Sequence, residues 1–345
     1  MKNNIVFISN ALGGIKTFQD TLIRFFLKKK IECTLIDEKP YKDHKKKLRY
    51  YKVNVLNDMY NTFLILNKIK NKNKSKNKNT IFIFSNPVIF VLYFLYIKFF
   101  FDKKKIFFFA HSHLTKKAIL LYICSFLSGI FFLYTNKIFY VSKFTKDYWS
   151  KKYFFPRFSK NLIQPNSIKL SKKINFLNKK KFRIGFVGRA DKEKGLRQFI
   201  NIAQENKDNF IFNIFSDSRI NLNNNQKNCV NFFFNKNIST IYKNIDLLLV
   251  TSPIENCPFS VLEAKSFGIP TLIYFTQGGI HEIVKNNFDG IIIKYDKKKL
   301  DITNHINKIK FNYKFFSQNA FISAKKYNAN IKIPKLIQDE LLRQI

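Results

Sequence analysis

Short, unbroken apolar runs recur along the whole chain, and each leads into a longer stretch with helical spacing. In the first half the runs fall at residues 5–8, 32–36, 81–84, 106–109 and 138–141. After the first of them, Ile15, Phe18, Leu22 and Phe25 repeat at intervals of three and four, the spacing of one helix face. A strand that alternates apolar and polar residues has one wet face; unbroken runs suit strands buried on both faces of a parallel sheet. Strands alternating with helices then imply βαβ units and doubly wound sheets. The pattern restarts after residue 181, with runs at 182–187, 210–215, 230–234, 246–250, 271–274 and 290–293. Between the two series lies a stretch with six Lys and little periodicity. A chain of 345 residues exceeds one ordinary core. The expectation is two Rossmann-like α/β domains at 1–167 and 182–325. A linker at 168–181 joins them, and a terminal helix within 326–345 is placed to pack back on the N-terminal domain.

Charge narrows the partners. The formal net charge is +40, carried by 54 Lys and only eight Arg, in a chain rich in Asn, Ile, Phe and Tyr. That company points to A- and T-rich codons as a source of the lysines, and Lys is the weaker residue for reading bases. No nucleic-acid-binding module is recognisable, so nucleic acid is not expected as a partner. The basic residues are concentrated toward the front: residues 1–170 hold 33 Lys and Arg against 8 Asp and Glu. The same half carries two apolar stretches, 87–101 with one charge and 118–136 with none. Each falls between expected strands, and Ser125, Ser128 and Gly129 interrupt the second, so buried or interfacial helices are expected in place of membrane spans. Lysines beside such helices suit an anionic membrane surface.

The first ten residues have an apolar core of about four, too short for a signal peptide, and Cys33, Cys124, Cys229 and Cys257 form no close pair. Buried reduced thiols and a cytoplasmic location, peripheral at the inner face of the cell membrane, are expected. The low-complexity run at 68–79 reads as a solvated loop. No Asp-x-Asp, no His/Glu spacing for a metal, no Gly-x-Ser-x-Gly elbow and no P-loop occurs.

The stretch from Asp246 to Gly290 concentrates the chemistry. A strand ends at Ser252-Pro253, a loop carries Glu255, Pro258 stands where a helix can begin, and Glu263 follows Glu255 by eight residues. Glu255 therefore lies in a loop at a strand's carboxyl edge and Glu263 on the next helix. That edge is where doubly wound sheets bind ligands, and the amides of Cys257, Pro258's successor Phe259, and Ser260 open a helix N-terminus suited to phosphate. A carboxylate nearby can accept two vicinal ribose hydroxyls. On the residues alone the two glutamates fit a helix cap and a surface position equally well.

This stretch resembles the family-4 retaining glycosyltransferases, of the GT-B architecture with two Rossmann-like domains facing a cleft. The resemblance is carried by Glu255, Pro258, Leu262-Glu263-Ala264, Gly268-Ile269-Pro270 and the run Gly278-Gly279-Ile280-His281-Glu282-Ile283-Val284. Upstream, Val187-Gly188-Arg189 with Lys194-Gly195 is similar to the family's phosphate-facing segment. Weaker similarities are Gly13-Gly14-Ile15, Ala110-His111-Ser112-His113, Tyr140-Val141-Ser142 and Pro165-Asn166-Ser167, the last with Ser in place of Gly. Lys265 stands where an apolar residue is usual and is expected on the exposed helix face.

The resemblance implies a metal-independent transferase that moves a sugar from UDP or GDP to a hydroxyl of a glycan or lipid-linked glycan, in surface-polysaccharide assembly. It implies that Glu263 binds the ribose and that Arg189 and Lys194 stabilise the departing diphosphate. Glu255 would contact the donor sugar or its phosphate, and His111 (or His113, two residues on) would line the donor side. Gly13, Gly14, Gly188, Gly278 and Gly279 would approach the donor through their backbones. No cofactor beyond the nucleotide sugar is implied. Two alternatives stand beside it: a basic nucleic-acid-binding protein held by charge, which leaves Asp246–Gly290 unexplained, and a non-catalytic membrane-associated partner with the same fold, against which the intact Glu255, Glu263 and Arg189 argue.

Overall fold

A computed structural model describes residues 3–11, 13–41, 48–75, 78–102, 104–111, 119–152, 161–171, 181–294 and 302–336. The chain divides into two units, Met1–Pro165 with Ile333–Ile345, and Asn166–Lys332.

The first unit holds β1 (Asn3–Ile8), α1 (Gly13–Lys28), β2 (Glu32–Asp37), β3 (Leu48–Lys52), α2 (Met59–Ser75), β4 (Asn79–Phe84), α3 (Pro87–Phe100), β5 (Lys104–Ala110), α4 (Ile119–Phe131), β6 (Lys137–Tyr140), α5 (Lys143–Lys152) and β7 (Asn161–Ile163). Its seven strands run in the order β3-β2-β1-β4-β5-β6-β7, every pairing parallel. All five runs expected as strands are strands, and burial on both faces explains why they lack polar interruptions: Ile5, Val6, Ile8, Ile81, Phe82 and Phe84 are each fully enclosed. The even-numbered residues Val6, Phe82, Phe84, Ile106 and Phe108 pack under α2 and α3. The odd-numbered Phe7 and Phe109 meet Phe26 and Phe18 of α1 on the other face. α3 is launched by Asn86, whose side chain accepts from the Val88 amide at 2.8 Å, with Pro87 at the first helical position. The two apolar stretches become α3 and α4, both flanked by strands, and among the described residues no helix is long and apolar enough to cross a membrane. The run expected as a solvated loop at 68–79 instead continues α2 to Ser75, where Ile69 and Asn73 are buried.

The second unit holds β8 (Arg183–Val187), α6 (Leu196–Asn206), β9 (Ile211–Ser216), α7 (Asn224–Lys227), β10 (Asn231–Phe234), α8 (Ile238–Lys243), β11 (Leu247–Val250), α9 (Phe259–Ser266), β12 (Thr271–Tyr274), β13 (Gly290–Ile293), α10 (Ile302–Phe311) and α11 (Tyr313–Ala324). A last helix, α12 (Ala329–Leu336), follows. Its six strands are parallel in the order β10-β9-β8-β11-β12-β13. The order reverses between β8 and β11, so the loops leaving those two strands diverge and open a crevice at their carboxyl ends. At the opposite ends Arg183 grips Asp246 in a fork, Nη2 to Oδ1 at 2.6 Å and Nε to Oδ2 at 2.9 Å, which fixes the two strands side by side. The expected linker overlaps residues 172–180, which lie outside the described residues.

Candidate functional site

In the second unit the loops after β8 and β11 bring their side chains to one point. Past Val187 the chain turns at Gly188, and Asp191 accepts from the Lys194 amide at 2.9 Å, closing a short 3-10 turn over Lys192–Lys194. Gly195 then starts α6 at φ +70°. A Cβ there would lie 2.1 Å from the Thr251 carbonyl oxygen, so only glycine lets the two loops touch. This contact points Lys194 across to the β11 loop. Its Nζ donates to Glu255 Oε1 at 2.5 Å, and the Ser252 hydroxyl donates to the same oxygen at 2.9 Å. Glu255 is largely enclosed, its side chain 11% exposed, while Lys194 keeps 29%. The backbone around Glu255 is equally fixed: its amide donates to the Gln277 carbonyl at 2.9 Å, and its carbonyl accepts from the Ile280 amide at 3.0 Å. Gly278, at φ +105°, passes so near that a Cβ would sit 2.4 Å from the Glu255 oxygen. Gly279 opens the 3-10 turn Gly279–Glu282 and is buried. Gly278 and Gly279 are therefore held against Glu255 within one loop cluster.

Pro258 caps α9 with extended backbone (φ −67°, ψ 131°), and no side chain caps that first turn. Its amides face the end of the helix where negative charge is favoured. Cys257 just ahead is buried. Burial, offset in part by the Asn166 contact, pushes its thiol up to about 12, which makes it an inert structural group. Its carbonyl accepts from Asn166 Nδ2 at 2.6 Å. Phe259 is buried, and the Ser260 carbonyl accepts from the Tyr242 hydroxyl at 3.1 Å.

Glu263 sits one turn into α9, partly buried, with the Tyr242 hydroxyl donating to its Oε2 at 2.9 Å. Burial pushes this carboxyl up to about 7, and the Tyr242 hydrogen bond works against that rise. Tyr242, fully enclosed and beside the carboxylate, is raised well above the ordinary phenol value. Glu263 is thus a carboxyl that titrates near neutrality.

The structure qualifies two expectations. Arg189 is on the rim, half-exposed, with Nη1 3.2 Å from Asp191 and Nη2 3.2 Å from Glu193, and is not joined to the Lys194–Glu255 pair. Lys265 is not on an exposed face. It is fully buried and donates to Asp289 Oδ2 at 2.7 Å and to the Ile283 carbonyl. Asp289 also accepts from the Ser323 hydroxyl at 2.5 Å and the Lys285 amide at 2.8 Å. The cause is that Lys265 lies on the enclosed side of α9: Val261, Leu262, Ala264, Lys265 and Ser266 are buried, and only Ser260 and Glu263 stay partly open. The pair braces the carboxyl end of the turn that carries Gly278 and Gly279.

The remaining candidates lie in the first unit. Gly13 opens α1 at φ +53°, beside Gly14, at the carboxyl end of β1. His111 follows β5 and packs edge-on against Phe18 of α1, ring centroids 4.7 Å apart. His113 lies outside the described residues. In the second unit His281, within the Gly278 turn, pairs through Nε2 with the Thr276 carbonyl at 2.7 Å. The four cysteines are buried and form no disulfide. Among the described residues no group of three or more His, Cys, Asp or Glu side chains is placed to hold a metal ion. Sequence reasoning missed Ser252 and Tyr242. Ser252 had a signal, a hydroxyl at the carboxyl end of an expected strand; Tyr242 had none, because its partner Glu263 is 21 residues away.

Comparison with known proteins agrees with this picture. Residues 167–326, most of the second unit, match the family described as "Glycosyl transferases group 1". A curated relative from Klebsiella pneumoniae, an "Uncharacterized 41.2 kDa protein in cps region", is 27% identical over 173 residues, 47% of this chain and 48% of the relative. The chain thus matches about half of that relative's length. Among solved structures, a sucrose-phosphate synthase from Thermosynechococcus elongatus superposes with a TM-score of 0.79 at 12% identity, covering 99% of both chains. HepE from Anabaena, crystallised with UDP-glucose, gives 0.76 at 13% identity over 99% of this chain and all of its own. The two-sheet α/β architecture expected from the sequence is the observed GT-B fold.

Proposed function

We propose that this protein is a retaining glycosyltransferase of surface-polysaccharide type, taking a sugar from a UDP- or GDP-sugar to a hydroxyl of a glycan or lipid-linked glycan. The observation that supports this best is the meeting of Lys194, Glu255 and the uncapped first turn of α9 at the β8/β11 reversal. A cation, a carboxylate and helix amides at that edge suit a sugar diphosphate. The match of the surrounding residues to group 1 glycosyltransferases and the UDP-glucose held by HepE give the same direction.

In this reading Glu263, ionised, accepts the two ribose hydroxyls. The diphosphate draws Lys194 away from Glu255, which frees that carboxylate to accept hydroxyls of the donor sugar. Arg189, on the rim, adds its guanidinium to the leaving diphosphate, so the reaction uses side-chain cations and no metal or further cofactor. The acceptor oxygen bonds to the anomeric carbon on the face that the nucleotide leaves, the carbon–phosphate-oxygen bond breaks, and the leaving phosphate oxygen takes the acceptor's proton. The protein would work in the cytoplasm, at the inner face of the cell membrane.

Thermal unfolding with UDP-glucose, GDP-mannose and a short DNA duplex tests the reading. A donor at about a hundred times its dissociation constant stabilises by about 2.7 kcal/mol. A rise with one nucleotide sugar that Glu263→Ala abolishes is the expected result. Stabilisation by DNA alone, indifferent to Glu263, would overturn it.

A further inference from the structure

The outer side of α3 and α4 in the first unit is apolar, aromatic and ringed by lysine. On α3 the inner residues Phe90, Tyr93, Phe94 and Ile97 are buried against the sheet, while Leu95, Phe99 and Phe100 face out, Phe99 with 75% of its surface exposed. On α4 and the turn after it, Ile123, Phe126 and Ile130 repeat at three and four residues and are all exposed, followed by exposed Leu133 and Tyr134. The two helices adjoin: beneath the stripes Phe94 stacks on Phe131 at 4.7 Å, and at the surface the exposed Lys98 reaches the exposed Tyr134. A soluble surface rarely gathers this many large apolar side chains without a partner.

The cations on this face select the partner. Lys98 sits over the Tyr134 ring at 5.0 Å and Lys70 over the Phe100 ring at 5.5 Å, so both ammonium groups lie at the margin of the apolar stripe. Lys104 is close by. Burial first, and the Lys98 ammonium second, hold it below the ordinary lysine value, against a weaker opposing pull from Asp102. Asp102 faces Lys104, and one carboxylate does not balance three ammonium groups. A face with aromatic residues at its centre and ammonium groups at its edge matches the boundary between lipid headgroups and acyl chains. The rings enter the interface, and the lysines keep their charges at the phosphates. A protein partner of the same shape would have to be acidic around an apolar centre.

We infer that the α3–α4 face is a docking surface for an anionic lipid bilayer, entered by Phe99, Phe126 and Tyr134 to the depth of the headgroups and held by Lys70 and Lys98. No helix crosses, since α3 has 14 residues and α4 has 13. The inference is independent of the transferase reading, because it rests on residues that the candidate site does not use.

Sedimentation of the full chain with vesicles of equal phosphatidylglycerol and phosphatidylcholine, and with phosphatidylcholine alone, tests it. Binding to the anionic vesicles at 0.05 M salt and release at 0.5 M is expected. Lys70→Gln with Lys98→Gln lowers the partition about 30-fold, at about fivefold per lysine. Phe99→Ser with Phe126→Ser lowers it at least tenfold, and all variants unfold at the wild-type temperature because Lys98, Phe99 and Phe126 are exposed and Lys70 is half-exposed. Phe311→Ser, an exposed ring of the second unit, leaves the partition unchanged. Three results would overturn the inference: no binding to anionic vesicles at low salt, equal loss on Phe311→Ser, or light scattering that shows Phe99 holding two copies together in lipid-free solution.

Discussion

Replacing Glu263 by Gln should make the unliganded protein more stable, and by an amount that depends on pH. The ordinary glutamate value is 4.5, and burial holds this carboxyl at about 7. Between those values the folded chain binds more protons than the unfolded one, so the folding free energy worsens as pH rises. The contribution is fully favourable below pH 4.5 and has been lost by the time pH passes 7. Moving a carboxyl from 4.5 to about 7 corresponds to about 3 kcal/mol at neutral pH. Glu263 keeps partial solvent access, which reduces the figure to about 2 kcal/mol. Gln has the same shape, still offers an oxygen to the Tyr242 hydroxyl, and carries no charge to desolvate. Glu263→Gln should therefore raise the unfolding temperature by about 4–8 °C at pH 7.5, taking about 2–4 °C per kcal/mol for a unit of this size. At pH 5 the gain should shrink to a small fraction of that. Differential scanning calorimetry of both proteins in matched buffers from pH 5 to 8 measures it. A difference that is flat across this range, or a variant less stable at pH 7.5, would refute the argument that burial raises this carboxyl. In the proposed function this cost is offset when the ionised carboxylate accepts the ribose hydroxyls.

Titration calorimetry with UDP-glucose, which carries no group titrating between pH 6 and 8, should show binding about tenfold weaker at pH 6 than at pH 8. In the proposed function only the ionised Glu263 accepts ribose hydroxyls, and about nine-tenths of it is protonated at pH 6. Glu263→Gln should bind weakly with no such slope. Gly278→Ala should cost about 1–3 kcal/mol in denaturant unfolding, since φ +105° and a 2.4 Å approach to the Glu255 carbonyl both exclude a side chain. Lys265→Met should cost about 3–5 kcal/mol by leaving Asp289 charged and buried, and adding Asp289→Asn should recover much of that loss.

What could be read in the sequence follows from how evenly each element is buried. Central strands advertise themselves because both faces are covered: the runs at 5–8, 81–84 and 106–109 have no polar residue to accommodate. The edge strand β3, Leu-Arg-Tyr-Tyr-Lys, is half-exposed throughout and pairs with one neighbour only, so it carries no such signature and is invisible as an apolar run. The Glu255 loop was legible because its chemistry is local, a strand end, a turn and a helix start within twelve residues. Tyr242 and Asp289 were not, because each acts on α9 from 18 to 24 residues away along the chain, and Ser323 acts on Asp289 from 34 residues away.

Lys265 shows why spacing alone misleads there. In a chain with 54 lysines the ordinary expectation for one more is a solvated helix face. That expectation assumes an amphipathic helix, and α9 is not one: eight residues long, it is bounded by the buried Phe259 and the Gly268-Ile269-Pro270 turn and covered by α11. Its partly open positions, Ser260 and Glu263, are three residues apart on one side, and Lys265 is not on that side. The buried ammonium is met by a carboxylate from the loop before β13, Asp289, which also accepts the Lys285 amide. The charge that looked like surplus surface lysine thus ties α9, which carries Glu263, to the end of the turn that carries Gly278. A defect in this brace should loosen both walls of the candidate nucleotide site together.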